Sequence, residues 1–391
     1  MDAGELLDIA ATWSFWDRPP PQTIPRSVRL PKLLSNRIAL VIQGVRRCGK
    51  STLLAQLIGH YGLERRDCLF VNFEDPRLAG SLTFETLEML CRAFAESRPD
   101  AAVLTIFLDE IQWVAGWERW LCAKLERPSR FRFVVSGSNA HLLSGEMASV
   151  LTGRHITVEL FPFDLSEFRR VHPQGTLSDY LHLGGFPEPV IGGERDRLLQ
   201  QYFIDILQRD VRERVGARSS LSLRQIVQMV FESAGSELSL RRIAAASGVA
   251  VETVAAYLEA CEQAYLLFPC PWFAFSERKR LHRNRKYYPV DTALRRVSVT
   301  RAGRDAGKAL ECATFVELRK RCGEVFYWRG GGEVDFVVQT ENGPIPIQVT
   351  LDEATERHWR SLDAFHEEYP QAGEGVIVTG TNFGEVYSLF D

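Results

Sequence analysis

The sequence has no long apolar run, no paired cysteines and no strong net charge. The 391-residue chain contains no stretch near the ~18 apolar residues of a membrane-spanning helix. Its eight cysteines are scattered without a C-x-x-C pair, which argues against a zinc site or a disulfide framework. The net charge of -3 gives no global basic field for nucleic acid. Since the N-terminus also lacks the segments of a secretory signal, we expect a cytoplasmic protein without membrane association.

What the chain does contain is a strand, loop and helix pattern between residues 39 and 58. Ala39–Ile42 is an apolar run typical of a buried parallel strand, and apolar residues at helical spacing begin at Leu53. The segment between them, GVRRCGKS, fits the pattern G-x-x-x-x-G-K-[ST]. Glycines let such a loop curl so that its N–H groups point at phosphate oxygens, and the following helix adds partial positive charge. The pattern therefore predicts a phosphate-binding loop for ATP.

The residues of this loop receive expected roles. Lys50 would neutralise the terminal phosphates, and the Ser51 hydroxyl would bind Mg²⁺. The residues expected to surround the nucleotide are Gly44, Val45, Arg46, Arg47, Cys48, Gly49, Lys50, Ser51 and Thr52. The Arg46-Arg47 pair receives no separate role from the pattern.

An acidic pair follows the third predicted strand. Val103–Leu108 is apolar, and Asp109 and Glu110 stand at its C-terminal end, where ligands gather in parallel α/β sheets. We expect Asp109 to hold Mg²⁺, directly or through water, and Glu110 to polarise the attacking water. A phosphate loop and an acidic pair near one metal together predict hydrolysis.

Two further predicted strands, 131–143 and 151–163, add candidates to this site. Ser138 or Asn139 would sense the γ-phosphate, and either residue would also serve as a helix cap. Arg154 would reach the phosphates within its own chain or from a neighbouring subunit; the alternative is a surface arginine. The strand–helix alternation then stops, so we place a domain boundary near residue 170.

The middle of the chain fits a helix-turn-helix. Residues 221–267 predict three helices with a tight turn at Gly248, and the segment that follows would form a wing. The basic stretch in that wing contains Arg278, Lys279, Arg280, Arg283, Arg285 and Lys286. DNA phosphates would be contacted by this stretch together with Arg241, Arg242 and Thr253. However, the predicted recognition helix carries three acidic residues, Glu252, Glu259 and Glu262. A protein-interaction or lid role for this region therefore stays open.

Several motifs together resemble one family. In chain order they are GVRRCGKS, FLDEIQWVAGWE, SGSNAHLL, LTGR, GGFPE and EVDF. They resemble bacterial and archaeal AAA-related P-loop ATPases that carry a C-terminal domain of unknown function. The resemblance implies an ASCE-type ATPase core, a winged-helix middle region and a restriction-endonuclease-like C-terminal domain.

The C-terminal region resembles the PD-(D/E)xK nuclease fold. In that chemistry carboxylates bind Mg²⁺ and a lysine orients water or stabilises the developing charge. Glu311 or Glu317 would be the helical acid and Asp335 the strand acid, but Gln348 and Thr350 stand where Glu and Lys are needed. Lys320 or Arg329 would have to replace the missing lysine. We therefore expect a retained fold without cleavage, with an ATP-regulated, metal-dependent nuclease as the alternative.

These inferences combine into one prediction of architecture and function. The fold is α/β, with a P-loop parallel-sheet domain followed by a helical winged-helix domain and a small restriction-endonuclease-like domain. The predicted segments are an N-terminal arm, the ATPase domain, a helical lid or linker, the winged helix and the nuclease-like domain, at 1–37, 38–170, 171–220, 221–285 and 286–391. The arm either straps over the nucleotide or a partner, or packs on the core. Mg²⁺-dependent ATP hydrolysis would move the C-terminal regions; the alternative is a slow ATP-gated switch or scaffold that recruits DNA, a protein or another copy.

Overall fold

A computed structural model describes residues 1–127, 129–138, 151, 153–215, 220–300 and 305–385 of the chain. The chain folds as two compact units, Met1–Leu160 and Phe161–Asp391. The division therefore lies before the boundary expected near residue 170. The three segments predicted for the second half of the chain all belong to a single compact unit.

The first unit is built on a five-stranded parallel sheet. Its strand order is β2-β3-β4-β1-β5, and every neighbouring pair is parallel. The strands are β1 Ala39–Gln43, β2 Cys68–Asn72, β3 Leu104–Asp109, β4 Phe131–Gly137 and β5 His155–Glu159. All residues of β1 and β3 are buried, which is the pattern expected of strands covered on both faces. The predicted parallel α/β sheet is confirmed.

Helices pack on this sheet, and short 3₁₀ turns lie in the connections between its strands and helices. The helices are α1 Ala3–Trp13, α2 Lys50–His60, α3 Phe84–Glu96 and α4 Trp117–Glu126. The 3₁₀ turns are Arg65–Asp67, Pro76–Leu78 and Ile111–Trp113. Apolar residues of the helices and strands form one continuous core that includes Leu87, Leu108 and Leu121.

The N-terminal arm packs on this core. The Trp13 indole N–H donates to Asp75 Oδ2 at 2.8 Å, and the Trp16 indole N–H donates to the Cys68 carbonyl at 2.7 Å. The Trp16 ring also stacks on Phe94, with ring centroids 5.7 Å apart. Because both tryptophans are engaged with the sheet and its helices, the packed arm, rather than the strap, describes this part of the chain.

The second unit begins with helices. They are α5 Leu165–Val171, α6 Leu177–Leu183, α7 Pro187–Ile191, α8 Arg195–Asp205, a π-helical segment Ile206–Arg212, a short helical segment Glu213–Val215, α9 Ser220–Glu232, α10 Leu240–Ser247 and α11 Val251–Gln263. Gly248 adopts a left-handed conformation, φ 68°, between α10 and α11, as the predicted turn requires. Among the described helices none alone is long and apolar enough to span a membrane; α10 and α11 meet that criterion only together, bent by 107°.

An antiparallel hairpin follows the three helices α9 to α11. It consists of β6 Leu267–Cys270 and β7 Lys286–Pro289, with helix α12 Glu277–Leu281 between the strands. We expected β7 to open the C-terminal domain. Instead, β7 pairs with β6, so the predicted boundary at 285/286 falls inside a hairpin. The sequence did not indicate this pairing because the two strands are separated by the whole basic stretch.

The remainder of the second unit is a small α/β layer. It contains α13 Thr292–Ser298, α14 Ala306–Cys322, β8 Phe326–Arg329, β9 Glu333–Thr340, β10 Gly343–Val349, α15 Glu356–Glu368 and β11 Val376–Val378. The sheet order is β11-β10-β9-β8, with β10 and β11 parallel and the other pairs antiparallel. Three strands after a helix, followed by a helix and a last strand, match the predicted element order.

Candidate nucleotide site and a second carboxylate cluster

The predicted phosphate loop connects β1 to α2 at the carboxyl edge of the parallel sheet. Gly44 has to be glycine, since a Cβ there would lie 2.0 Å from the Leu160 carbonyl oxygen. Gly49 adopts a left-handed conformation, φ 100°, at the N-terminus of α2, and no side chain caps that helix end. The first-turn N–H groups of α2 therefore face the loop, in the geometry that favours bound anions.

Lys50 is folded back into this loop and is only 4% exposed. Its ammonium donates to the carbonyl oxygens of Gly44 and Val45, at 3.1 and 3.3 Å. The same Nζ lies 3.5 Å from Glu110 Oε1. Phosphate oxygens can replace these carbonyl contacts without moving the lysine out of the site.

Asp109 ends β3 and is the most connected acid of the site. Its Oδ2 accepts hydrogen bonds from the Ser51 hydroxyl at 2.6 Å and from Asn72 Nδ2 at 3.1 Å, and its Oδ1 accepts one from the Ser136 hydroxyl. Burial, and then the charge of Glu110, raise the pKa of Asp109 to about 6. The structure thus brings the two expected metal ligands, Ser51 and Asp109, into direct contact.

Glu110 lies in the left-handed region, with φ 55°, where β3 turns into a 3₁₀ helix. Its Oε2 accepts a hydrogen bond of 2.6 Å from Gln112 Nε2. Burial by itself would raise the pKa of Glu110, but Lys50, Gln112 and Arg46 hold it below its ordinary value. Glu110 is therefore kept as a carboxylate that can accept a proton or a hydrogen bond from water.

The remaining loop residues divide into structural and exposed ones. The Arg46 guanidinium is paired with Glu74 at 3.0 Å, and Arg47 is exposed with φ 69°. Cys48 directs its thiol to the Leu160 carbonyl at 3.3 Å, and burial raises the pKa of that thiol. Val45 is buried, whereas Thr52 lies in the first turn of α2.

The expected sensor residues, Ser138 and Asn139, directly follow β4, and their role stays a prediction. Ser138 is buried directly after β4, and Asn139 lies outside the described residues. Ser136, inside β4, also belongs to the site, since its hydroxyl donates a hydrogen bond to Asp109. The sequence signal for it was available, since alternate residues of a strand share a face.

The prediction that Arg154 reaches the phosphates bound by its own chain is wrong. Its carbonyl oxygen accepts from Ala39 N at 2.9 Å, at the amino end of β1, whereas the loop leaves the carboxyl end. At about 3.3 Å per residue, the five residues of β1 place the Arg154 backbone roughly 15 Å from the start of the phosphate loop. Its guanidinium contacts Cys122 Sγ and, at 3.3 Å, Glu126.

Sequence reasoning also missed three polar neighbours of the acidic pair. Asn72 ends β2, Ser136 lies in β4, and Gln112 follows Glu110 by two residues. The first two stand at the carboxyl ends of strands that flank β3, so the rule that located Asp109 would also locate them. Gln112 had no such signal, because its contact depends on the left-handed turn at Glu110.

In the second unit, a buried lysine lies among the carboxylates of the region predicted to be nuclease-like. Lys286 of β7 is 1% exposed, and its Nζ contacts Glu333 Oε1 at 2.9 Å. Asp335 Oδ2 accepts from the Val349 N–H at 2.8 Å. Although burial alone would lower the pKa of Lys286, the charges of Glu311, Glu333 and Asp335 hold it above its ordinary value.

Glu311 is the helical acid that joins this cluster. Its Oε1 accepts from the Tyr288 hydroxyl at 2.7 Å, and burial followed by the charge of Asp335 raises its pKa to about 7. Gly235, at φ 78°, closes over the carboxylate, since a Cβ there would lie 2.6 Å from Oε1. Gln348 uses its amide to donate to the Glu333 carbonyl at 2.6 Å, so it faces the backbone of β9.

The other candidates for the predicted nuclease-like site have different partners. Glu317 pairs with Arg321 and, at 3.5 Å, with Lys320. Lys320 also contacts Asp164 at 3.1 Å, and Arg329 contacts Glu237 at 3.1 Å. Lys286, predicted to be part of the wing, is thus a lysine that lies near Asp335. Within the described ranges, no three His, Cys, Asp or Glu side chains are grouped so as to hold a metal ion.

A groove of about 860 Å³ borders the basic stretch of the same unit. Its lining includes the exposed Arg241, Arg283 and Arg285 together with Glu259 and Glu262 of α11. Arg242, Arg278 and Lys279 are also exposed, but Lys286 is buried and cannot contribute to this surface. Exposed residues of the expected basic surface therefore line the groove together with acidic side chains of α11.

Comparison with known proteins divides the chain into three matched regions. Residues 36–169 match the family model of an AAA domain, which includes the phosphate loop and the acidic pair. Residues 174–304 and 306–388 match two domains of unknown function, DUF8612 and DUF4143. The first region therefore has the fold class and motif set of a P-loop AAA domain.

Two curated relatives extend over most of the chain. An uncharacterized protein of Haemophilus influenzae is 29% identical over 332 residues, covering 80% of this chain and 82% of its own length. An uncharacterized protein of Methanocaldococcus jannaschii is 28% identical over 374 residues, covering 88% and 81%. Both alignments therefore cover about four fifths or more of each protein.

Solved structures give weaker similarity. The ORC1 protein of Aeropyrum pernix in complex with DNA aligns over 67% of this chain and 86% of its own, with 14% identity and a TM-score of 0.29. Cdc6p from Pyrobaculum aerophilum aligns over 68% and 86%, with 12% identity and a TM-score of 0.27. These TM-scores are too low to indicate a common overall fold.

Proposed function

We propose that the protein binds ATP with Mg²⁺ and hydrolyses it at the Gly44–Ser51 loop. The observation that carries this proposal is the contact of 2.6 Å between the Ser51 hydroxyl and Asp109, with Lys50 and Glu110 beside it. A phosphate-binding lysine, two oxygen ligands for a hard cation and a carboxylate base thus meet at one edge of the sheet. The AAA-domain match over residues 36–169 supports the same assignment.

The side chains present fit a nucleotide with its metal. Because Gly44 has no Cβ, the Leu160 backbone can pack directly against the loop. The N-terminus of α2 carries no side-chain cap. Ser51 and Asp109 supply oxygen donors, which Mg²⁺ prefers. When bound, Mg²⁺ would neutralise charge that develops on the phosphate oxygens.

Each protein group then has a defined task. Lys50 exchanges the carbonyl oxygens of Gly44 and Val45 for phosphate oxygens, and so holds the terminal phosphates. Glu110, kept ionised by Lys50 and Gln112, accepts a hydrogen bond from the attacking water. Ser136 and Asn72 fix the orientation of Asp109 through its two carboxylate oxygens.

The test separates binding from turnover. ATP hydrolysis is followed by phosphate release with Mg²⁺ and with EDTA, for the wild type and for Asp109→Asn. We expect Mg²⁺-dependent hydrolysis that falls at least tenfold in Asp109→Asn, because the amide is a poorer ligand for a hard cation. Hydrolysis that persists in EDTA would contradict the proposal. Very slow turnover with tight ATP binding would instead support the ATP-gated switch or scaffold.

We also propose that the arginines lining the groove in the second unit contact nucleic-acid phosphates. Helices α9 to α11 followed by the β6–β7 hairpin, with Leu238 bridged to Arg285, have the element order of a winged helix. Arg241, Arg283 and Arg285 are exposed around the groove. The acidic residues on α11 argue for phosphate contacts rather than base readout.

Binding of a labelled DNA duplex tests this second proposal. A variant with Arg241, Arg283 and Arg285 all changed to Ala should bind more weakly and show a shallower dependence on salt, because three phosphate contacts are lost. Arg92→Ala, on an exposed face of α3, is the matched control. Equal affinity of the triple variant and this control would exclude the groove as the contact surface.

For the C-terminal region we propose a nuclease-like fold without cleavage. Lys286 takes up the charge of the carboxylates, and Gln348 faces the β9 backbone. Plasmid incubated with the protein and Mg²⁺ or Mn²⁺ should remain intact. Cleavage that disappears in Asp335→Ala would establish the nuclease alternative. A role for Arg154 at a neighbouring subunit's site would require self-association, which native mass measurement with ATP would detect.

A further inference from the structure

Gln112 is placed directly behind the carboxylate that the proposed reaction depends on. It lies in the 3₁₀ helix Ile111–Trp113, which is separated from β3 only by Glu110, since β3 ends at Asp109. Glu110 has φ 55° there, and this turn brings a side chain two residues later back onto the glutamate. The resulting hydrogen bond, from Gln112 Nε2 to Glu110 Oε2, is 2.6 Å long.

The two oxygens of Glu110 therefore have different surroundings. Oε2 is held by the amide of Gln112, whereas Oε1 faces Lys50 at 3.5 Å. A carboxylate fixed through one oxygen presents the other in a single orientation, which is the requirement for a base acting on a positioned water. Gln112 is partly buried and its own Oε1 accepts no hydrogen bond from the described residues, so this amide is not held by a second strong contact.

We propose that Gln112 is a positioning residue for hydrolysis, which fixes Glu110 so that Oε1 faces the attacking water. The inference rests on the proposed function, because it assigns a partner to the base of that reaction. Gln112 itself would touch neither the nucleotide nor the metal. Its effect should therefore appear in turnover and not in nucleotide affinity.

A double-mutant cycle with Gln112→Met and Glu110→Gln tests the proposal. Methionine keeps the length of the side chain but removes the donor. We expect Gln112→Met to lower kcat about tenfold or more while leaving the Kd for ATP within about twofold, as expected for loss of a hydrogen bond to a charged group. In the Glu110→Gln background, the same change should alter the single-turnover rate less than about twofold, because the residue acts through Glu110.

Gln201→Met is the matched control, since the exposed Gln201 donates a hydrogen bond of 2.8 Å to Asp205 in the second unit. It should leave kcat unchanged. An unchanged kcat in Gln112→Met, or an equal loss in both backgrounds, would overturn the positioning role. If Glu110→Gln itself had no effect, the proposed function would fail instead, so the two failures are distinguishable.

Discussion

Both compact units bury a lysine beside carboxylates, but the two lysines are held in different ways. Lys50 lies on a loop, donates to two backbone carbonyls and stands 3.5 Å from Glu110. Lys286 lies on a strand of a hairpin, contacts Glu333 at 2.9 Å and has its ammonium 5.0 Å from the centre of the Tyr327 ring. A ligand can replace the carbonyl contacts of Lys50, whereas these two contacts of Lys286 are made by side chains of the fold itself.

The difference lies in what surrounds each cluster. At the loop, Gly44 and the uncapped start of α2 provide backbone N–H groups for an anion. At Lys286, the loop at Gly235 closes over Glu311 and the Gln348 amide is used by the backbone. A lysine among acids therefore indicates ligand binding only where its partners can be replaced.

The largest contrast should come from removing each lysine in turn. Lys50→Ala should weaken ATP binding at least roughly 100-fold, since the charge that meets the terminal phosphates is lost. Titration of a fluorescent ATP analogue measures this, with Lys32→Ala, at an exposed position, as the control. Near-normal affinity in Lys50→Ala would place the nucleotide elsewhere.

Lys286→Met should leave ATP affinity unchanged and destabilise the second unit. Removing one partner of a buried ion pair leaves the remaining charges uncompensated and typically costs about 3–5 kcal/mol. Urea unfolding followed by tryptophan fluorescence measures the change. If Lys286→Met unfolded at the same urea concentration as the wild type, the lysine would not be the counterion of this cluster.

A third lysine, Lys320, pairs with Asp164, and the stability that this ion pair contributes should depend on pH. Burial alone would raise the pKa of Asp164, but Lys320, the Glu167 N–H and Ser166 lower it to about 2 from an ordinary 3.8. A lowered carboxyl pKa stabilises the fold above the ordinary value, and the contribution disappears as the pH falls through the folded value. Asp164→Asn, which keeps a good helix cap, should cost about 2 kcal/mol at pH 7.

That cost should shrink as the pH falls below 3.8 toward 2. Urea midpoints at a series of pH values measure it, and the exposed Asp363→Asn is the control. A cost that stays constant over this pH range would mean that packing, and not the charge of Asp164, stabilises the contact with Lys320.

The smallest effect is expected in the N-terminal arm. Trp13→Phe removes the indole donor to Asp75 but leaves three hydrogen bonds from Arg77 to that carboxylate, one from its backbone N–H and two from its guanidinium. We expect a loss of about 1 kcal/mol. The matched change Trp359→Phe, at a residue 51% exposed, should cost less. Thermal unfolding of both variants compares them, and equal stability would mean that the arm is not anchored through this bond.

The sequence predicted the features that depend on local pattern and chain order. The loop, the five parallel strands and the acidic pair follow from apolar runs with glycine or acids at their ends. Arg154 was misplaced because it precedes its strand, and residues before a parallel strand lie at the opposite edge from those after it. The same rule, applied to both ends of each strand, would have corrected it.

The features that the sequence did not predict depend on distant pairing. In the sequence, Lys286 is one residue of a basic stretch. In the fold, β7 pairs with β6, and the Lys286 side chain lies near Glu333 and Asp335. Gln112 acquires its role only through the left-handed conformation of Glu110. Neither long-range strand pairing nor a single unusual φ leaves a periodic signal in the sequence.

The central claim is that Glu110 is the base of an ATP-hydrolysing site. Its most direct test is a single-turnover measurement of ATP cleavage by the wild type and by Glu110→Gln, at protein concentrations that bind all the nucleotide. We predict that the variant binds ATP and Mg²⁺ as the wild type does and cleaves it at least roughly 100-fold more slowly. Cleavage by Glu110→Gln at the wild-type rate would contradict the account.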